Sequence, residues 1–332
     1  MKPAGRSSVV LALVAGSVVC AQSVDSLPSY RVQTKISGTI RVWGSVQMGS
    51  LMRCWQKEFS KYQPAVRFEN HLNGALPAIA SLYTGVADLA ISREIWPLET
   101  AAFEQVLGYG PASVQAATGS FDIPTKSDSL EIFVHKDNPI SGLTLAQLGA
   151  VFGKNVRVWG DLGLAGEWKD KPVRAYAYQV ENAAMMFFHD IVLKPGMKWN
   201  CDLQEFGNQT AVDGKRVDAG RLILEALARD PYGIAISNAH YARPEVKALA
   251  LADGEGKPFV PPTRENVLNR TYPLTRAVRL YLNRAPGKPL DSKLGEFLHY
   301  VLSREGQRQV IAEGAYLPLP LKMLREQLAA LP

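Results

Sequence analysis

Thr39-Ile40-Arg41-Val42-Trp43-Gly44-Ser45 alternates the apolar Ile40 and Val42 with residues of mixed character, then breaks at Gly44-Ser45. Such alternation running into a Gly-Ser pair predicts a strand that ends in a turn. Just beyond it the period changes. Leu51, Met52, Trp55 and Phe59 recur at helical spacing, and Pro64 stops that helix. Val66-Arg67-Phe68 is a second strand. Ala75 to Tyr83 is a second helix, closed by Thr84-Gly85, and Asp88-Leu89-Ala90-Ile91 is a third strand. The order β-α-β-α-β predicts an α/β unit with a largely parallel sheet, because parallel neighbours need a crossover between them.

The pattern recurs further along. Glu131 to His135 and Val173 to Tyr178 read as strands, as do Tyr232 to Ser237 and Val278 to Leu282. Thr144 caps a helix through Leu148, Asn182 caps another, and Ala219 to Ala228 is a third. Trp159 to Gly163 reads as a loop. Residues 253 to 273 hold two glycines and four prolines, among them Pro261-Pro262, and read as a turn-rich connection. Leu294 to Val301 and Glu305 to Glu313 are helical, with Gly314 closing the second. The chain of 332 residues has no internal repeat and is long enough for two cores.

The N-terminus reads differently. Lys2 and Arg6 precede an apolar run from Val9 to Cys20, with no acid before Asp25. This is the layout of a secretory signal peptide over residues 1–21, cut after Ala21. Cys20 offers a lipid anchor as the alternative, but Val19 is larger than a lipidation site prefers. Residues 22–37 read as a polar linker. The expected location is therefore periplasmic or secreted. No later stretch is long and apolar enough to span a bilayer.

Composition is that of an ordinary globular protein, 47% hydrophobic and 20% charged. The formal charge is +6, of which Lys2 and Arg6 supply two. The remainder is spread along the chain, so nucleic acid is not an expected partner. Cys54 and Cys201 are far apart and read as two buried, unpaired thiols, although an oxidising compartment would permit pairing. No His or Cys spacing suggests a metal, and no nucleophile elbow, phosphate-binding loop or dinucleotide fingerprint is present. The expectation is a protein that is not an enzyme, with no cofactor and no metal.

Several stretches, in order from about residue 38 to 320, resemble the phosphate-binding proteins of bacterial ABC importers. These are Gly38 to Ser45 and Gly85 to Glu94; Val134-His135-Lys136-Asp137-Asn138-Pro139 with Leu143 to Leu148; Tyr272-Pro273-Leu274-Thr275-Arg276; Leu302 to Gln307; and Gly314 to Leu319. The resemblance implies a two-lobed type II periplasmic binding protein fold, with two mainly parallel sheets, flanking helices and a hinge. Lobe 1 would hold residues 38–128 and 272–332, and lobe 2 residues 129–271. It also implies a monomer that captures a small anion or polar solute and delivers it to an ABC permease in the inner membrane.

The family's phosphate loops map onto Ser45-Val46-Gln47, Asn73-Gly74 and Tyr178 with Asn182-Ala183-Ala184; Ser92 and Arg93 add a hydroxyl and a cation. Where the family supplies Ser-x-Thr, Ser-Gly, an arginine and Ser-Gly-Thr, this chain has amides, a phenol and alanines. A hydrogen bond to a charged group contributes roughly 1.5–3 kcal/mol, so the loss of an arginine and of these hydroxyls removes on the order of 6 kcal/mol or more. Micromolar binding amounts to only about 8 kcal/mol. The residues thus suit weak phosphate binding, another oxyanion, or a polar neutral solute. A sensor or surface protein of the same fold is a further reading.

Overall fold

The computed structural model describes residues 24–153, 156–194 and 196–331. The chain divides into two units. Unit 1 runs to Gly119 and resumes at Ala277; unit 2 is Ser120–Arg276. These limits lie within about ten residues of the expected lobe boundaries. The signal peptide expected over residues 1–21 lies outside the described residues.

In chain order, unit 1 opens with β1 (Gly38–Gly44), α1 (Gly49–Phe59), β2 (Val66–His71), α2 (Leu76–Tyr83), β3 (Leu89–Ser92), α3 (Pro97–Leu107) and β4 (Ala112–Thr118). Unit 2 follows with β5 (Glu131–His135), β6 (Gly142–Thr144), α4 (Leu145–Phe152), β7 (Arg174–Tyr178), α5 (Ala183–Phe188) and β8 (Gln204–Phe206). It continues through β9 (Gln209–Thr210), β10 (Arg216–Val217), α6 (Ala219–Leu227), β11 (Gly233–Ser237), β12 (Val246–Ala248), β13 (Ala250–Ala252) and α7 (Arg264–Leu268). The chain returns to unit 1 as β14 (Ala277–Leu282), α8 (Ser292–Leu302), α9 (Arg304–Glu313) and α10 (Leu321–Ala330).

The sheet of unit 1 has the order β2-β1-β3-β14-β4, and that of unit 2 the order β12-β5-β11-β7-β8. In each sheet four of the five strands run the same way and one runs against them, so both are mainly parallel, as expected. β1 pairs parallel with β2 and β3, but β14 lies antiparallel to both β3 and β4. β7 pairs parallel with β8 and β11, whereas β5 is antiparallel to β11 and β12. The reason is connectivity. β5 and β14 are the first strands after each crossing of the chain between units, and no crossover helix of their own unit turns them parallel to their neighbours.

In unit 1, Ile40 and Val42 of β1 point into a core shared with Leu51, Met52, Trp55 and Phe59 of α1 and with Phe297 and Tyr300 of α8. The opposite face, with Ala90 and Tyr281, is covered by Ala78, Ile79 and Leu82 of α2 and Phe103 of α3. The alternation seen in sequence is therefore the alternation of two covered faces.

Residues 24–36, read from sequence as a linker, are a docked strap. Val24, Leu27, Tyr30 and Ile36 are buried in the unit 1 core. The ring of Tyr30 meets Tyr62 and Tyr300 edge-on at 5.1 and 5.4 Å. Its hydroxyl donates to Glu296 Oε2 (2.5 Å), while the backbone N–H groups of Gln33 and Thr34 donate to Glu296 Oε1 at 3.0 and 2.6 Å. One carboxylate thus satisfies three donors. Glu296→Ala should cost about 2 kcal/mol, since solvent reaches the two exposed backbone donors but not the phenol. The expected result is a lowered urea midpoint together with new protease cleavage confined to residues 24–36. An unchanged midpoint and intact strap would contradict it.

Candidate functional site

In unit 1 the three predicted segments meet at the ends of adjacent strands. Gly44 ends β1 with φ +153°, and its carbonyl accepts from Gly74 N–H at 3.1 Å. Ser45 N–H donates to Ile91 O at 3.0 Å, which fastens the first loop to the end of β3, one residue before Ser92. Ser45 is buried, and its Oγ accepts from Gln47 N at 3.3 Å. Val46 and Gln47 face solvent, and Asn73 is exposed beside Gly74. Ser92 and Arg93 are both buried, and Arg93 O accepts from the Tyr281 hydroxyl at 2.5 Å. Trp43, one residue before Gly44, stacks on His71 with ring centres 4.8 Å apart. A cavity of about 340 Å³ is lined by Glu94, next in sequence to Arg93, and by Ser113, Arg279 and Tyr281, but by none of the predicted site residues.

In unit 2 the predicted set separates into exposed and buried parts. Asn182 caps α5 as its position predicts, its side-chain oxygen accepting from Ala184 N at 2.9 Å. That bond stabilises the helix start by about 1 kcal/mol. It also uses the backbone donor that a bound anion would otherwise take. Asn182 and Ala183 are exposed, and Ala184 is buried. Tyr178 is 3% exposed. Its hydroxyl lies against the first turn of α6, where a Cβ on Gly220 would sit 2.5 Å from it. The hydroxyl has no partner at hydrogen-bonding geometry, and burial pushes its pKa up, with Ser127 and Ser237 acting against that rise. The side chain at the family's arginine position is thus turned into the unit 2 interior.

The sequence reading missed two polar residues at this end of the unit 2 sheet. Asn238, just past β11, accepts from His240 N at 2.7 Å and donates through Nδ2 to Ile123 O (3.2 Å) and to Lys126 O. Glu131, the first residue of β5, is 1% exposed. An acid opening an otherwise apolar strand was the available signal for Glu131. Asn238 had none beyond its place after a strand.

Among the described residues no cluster of three or more His, Cys, Asp or Glu could hold a metal, and no helix is long and apolar enough to cross a membrane. Cys54 is half-buried in unit 1, and burial raises its thiol pKa. Cys201 is free and exposed in unit 2, which corrects its reading as a buried thiol: it lies in a turn outside the sheet.

Two α/β units with polar loops gathered at strand ends are the form of a solute-binding protein, and the model of the PBP superfamily domain matches residues 31–305. The chain belongs to that family. It is 34% identical to the phosphate-binding protein PstS of Pseudomonas aeruginosa, over 98% of both chains. It is 23% identical to Protein SphX of Synechococcus elongatus, over 97% of this chain and 88% of that one. Among solved structures, PstS from Borrelia burgdorferi is similar with a TM-score of 0.59 at 17% identity, covering 85% of this chain and 99% of that chain. An ABC-type phosphate transport receptor from Vibrio cholerae has a TM-score of 0.55 at 18% identity, with coverage of 84% and 99%. At such identities the structures establish the fold.

Proposed function

We propose that this chain is the exported substrate-binding component of an ABC importer and that its ligand is a phosphate-type anion. The observation that carries the reading is the convergence in unit 1 of Gly44–Gln47, Asn73–Gly74 and Ser92–Arg93, tied together by backbone hydrogen bonds. The family resemblance maps two of its phosphate loops onto the first two of these segments, and Ser92–Arg93 adds a hydroxyl and a cation. The name of the Pseudomonas relative, at 34% identity over nearly the whole chain, supports phosphate as the ligand.

Binding is weak in this reading. A desolvated anion needs many convergent donors. Asn182 has taken the Ala184 N–H, and Tyr178 is turned inward. Arg93 is the cation nearest the unit 1 loops in sequence. Calorimetric titration of ligand-free protein should give a dissociation constant for phosphate above about 10 μM, less than roughly 7 kcal/mol. Arg93→Ala should weaken it at least about tenfold, the loss of one charged hydrogen bond. Nanomolar binding by the parent would show that donors other than these hold the ligand. No heat and no thermal shift at millimolar phosphate would refute phosphate as the ligand.

A further inference from the structure

Glu131 is a carboxyl group in a place that ordinarily excludes one. All five residues of β5 are buried. Oε1 accepts from Ser129 Oγ at 3.1 Å, and Oε2 is buried with no partner at full hydrogen-bonding geometry. Glu131 lies directly opposite Ser237, the last residue of β11. Directly opposed residues project from the same face of a sheet. Ser237 Oγ donates to Gly220 O in the first turn of α6, the same turn that Tyr178 touches. Glu131 therefore lies under the start of α6, at the end of the sheet where β7 runs on towards Asn182.

The ionisable groups acting on Glu131 are few. Burial raises its pKa well above the ordinary value; the Ser129 hydroxyl lowers it, Asp122 raises it, and the Ala239 N–H lowers it. Tyr272 senses its charge and donates to Leu130 O at 3.0 Å. Asp122 pairs with His240 at 3.1 Å. On the same crossover Asp128 accepts from Ser120, and Arg276 Nη1 donates to Ser127 O at 3.3 Å. A buried carboxyl in such surroundings is stable as the neutral acid.

We propose that the Glu131 carboxyl, in its protonated form, sets the anion affinity of the loops at the ends of β7 and β11. The proposal rests on the phosphate reading above. Neutral, the group leaves the field at this end of the sheet unopposed to an anion. Ionised, it places a negative charge one strand from the Ser237–Asn238 turn. At an effective dielectric of about 20, any like charge within about 10 Å of an anion lowers its affinity more than tenfold. Glu131 does not touch the ligand in this scheme; it is a positioning residue acting through the charge beneath the loops.

The test compares the full chain with Glu131→Gln, measuring phosphate affinity and urea stability between about pH 5.5 and about pH 9, a range that spans the pKa values buried glutamates reach. Phosphate itself titrates in this range, but equally for both chains. The parent should lose at least about tenfold more affinity than Glu131→Gln as pH rises. Because folding raises the pKa, the stability contributed by the bound proton is present at low pH and lost as pH rises through the folded value. The stability of the parent should therefore fall relative to that of Glu131→Gln over the same range. Ser129→Ala removes a donor to the ionised form and should move both transitions to higher pH. Parallel affinity curves with intact phosphate binding would overturn the proposal. A constant stability difference would overturn it as well, by showing an ordinary carboxyl. Absence of phosphate binding by either chain at every pH would refute the phosphate reading, and this proposal with it.

Discussion

Gly44→Ala is expected to destabilise the protein by more than about 4 kcal/mol and to abolish ligand binding in whatever folds. A Cβ at this position would lie 2.1 Å from Ile91 O and 2.7 Å from the Ile91 side chain. The obstacle is backbone, so no rotamer change relieves it. β1 and β3 would have to part by roughly 1 Å in an interior packed as densely as a crystal. Parting them breaks the Ser45-to-Ile91 bond and displaces the Gly74-to-Gly44 bond, which together gather the unit 1 loops. The backbone at φ +153° adds its own cost for any residue with a side chain. Gly85→Ala serves as the control. Gly85 also has positive φ, +73°, but nothing lies within 4 Å of its Cβ direction. It should cost only about 1 kcal/mol. Urea denaturation of both variants separates clash from conformational preference. Equal losses at the two positions would mean that close approach of β1 and β3 is not what holds the site.

Gly44 also illustrates what was legible from sequence. A strand broken by Gly-Ser after Trp43 predicted the turn, and the turn is there. The helices of unit 1 that carry a clear stripe, α1 above all, were equally plain because their apolar residues face a single core. β4 carried no such signal. Its sequence, Ala-Ser-Val-Gln-Ala-Ala-Thr, is poor in β-branched and aromatic residues. It is a strand because β14 pairs along its full length, from Ala277 opposite Thr118 to Leu282 opposite Ala112. Tertiary pairing outweighed propensity there. The strap over residues 24–36 was hidden for a related reason. Its anchors are single residues whose partners, Glu296 and Tyr300, lie more than 260 positions away.

The candidate site was legible to the level of loops and not of side chains. The family resemblance pointed to Gly44–Gln47 and Asn73–Gly74, and the end of a strand to Ser92–Arg93; backbone bonds tie Gly74 to Gly44 and Ser45 to Ile91. Nothing in the local sequence reveals that Tyr178 turns inward, because Arg-Ala-Tyr-Ala-Tyr alternates equally well with Tyr178 on either face. The choice is made by Gly220, whose missing side chain leaves room for the phenol under α6. The capping role of Asn182 was legible, but its consequence, the capture of the Ala184 N–H, needed the geometry.

Asp230→Ala should cost about 3 kcal/mol, near the lower end expected when one partner of a buried ion pair is removed. The Asp230 side chain is only 8% exposed at the turn between α6 and β11. Its Oδ2 accepts from Arg174 Nε at 2.7 Å and from the Tyr176 hydroxyl at 2.8 Å. Its Oδ1 accepts from Arg174 Nη2 and from Tyr232 N at 3.0 Å. Arg174 and Tyr176 belong to β7, so one carboxylate fastens that strand to the connection leading into β11. The Arg174 side chain is 41% exposed, and water can take over its lost contacts. The Tyr176 hydroxyl is buried and has no such recourse, which is why the loss stays large. Burial alone would raise the pKa of Asp230, but the bonds from Arg174, Tyr176 and Tyr232 outweigh it and hold the pKa below the ordinary value. A carboxylate with a depressed folded pKa contributes stability above its unfolded pKa, near 3.8, and loses it as pH falls through the folded value. The gap between parent and Asp230→Ala in urea denaturation should therefore be full at neutral pH and shrink once the pH drops below about 4. A gap that persists undiminished into acid would assign the loss to packing of the turn, not to the ionised carboxylate that ties β7 to it.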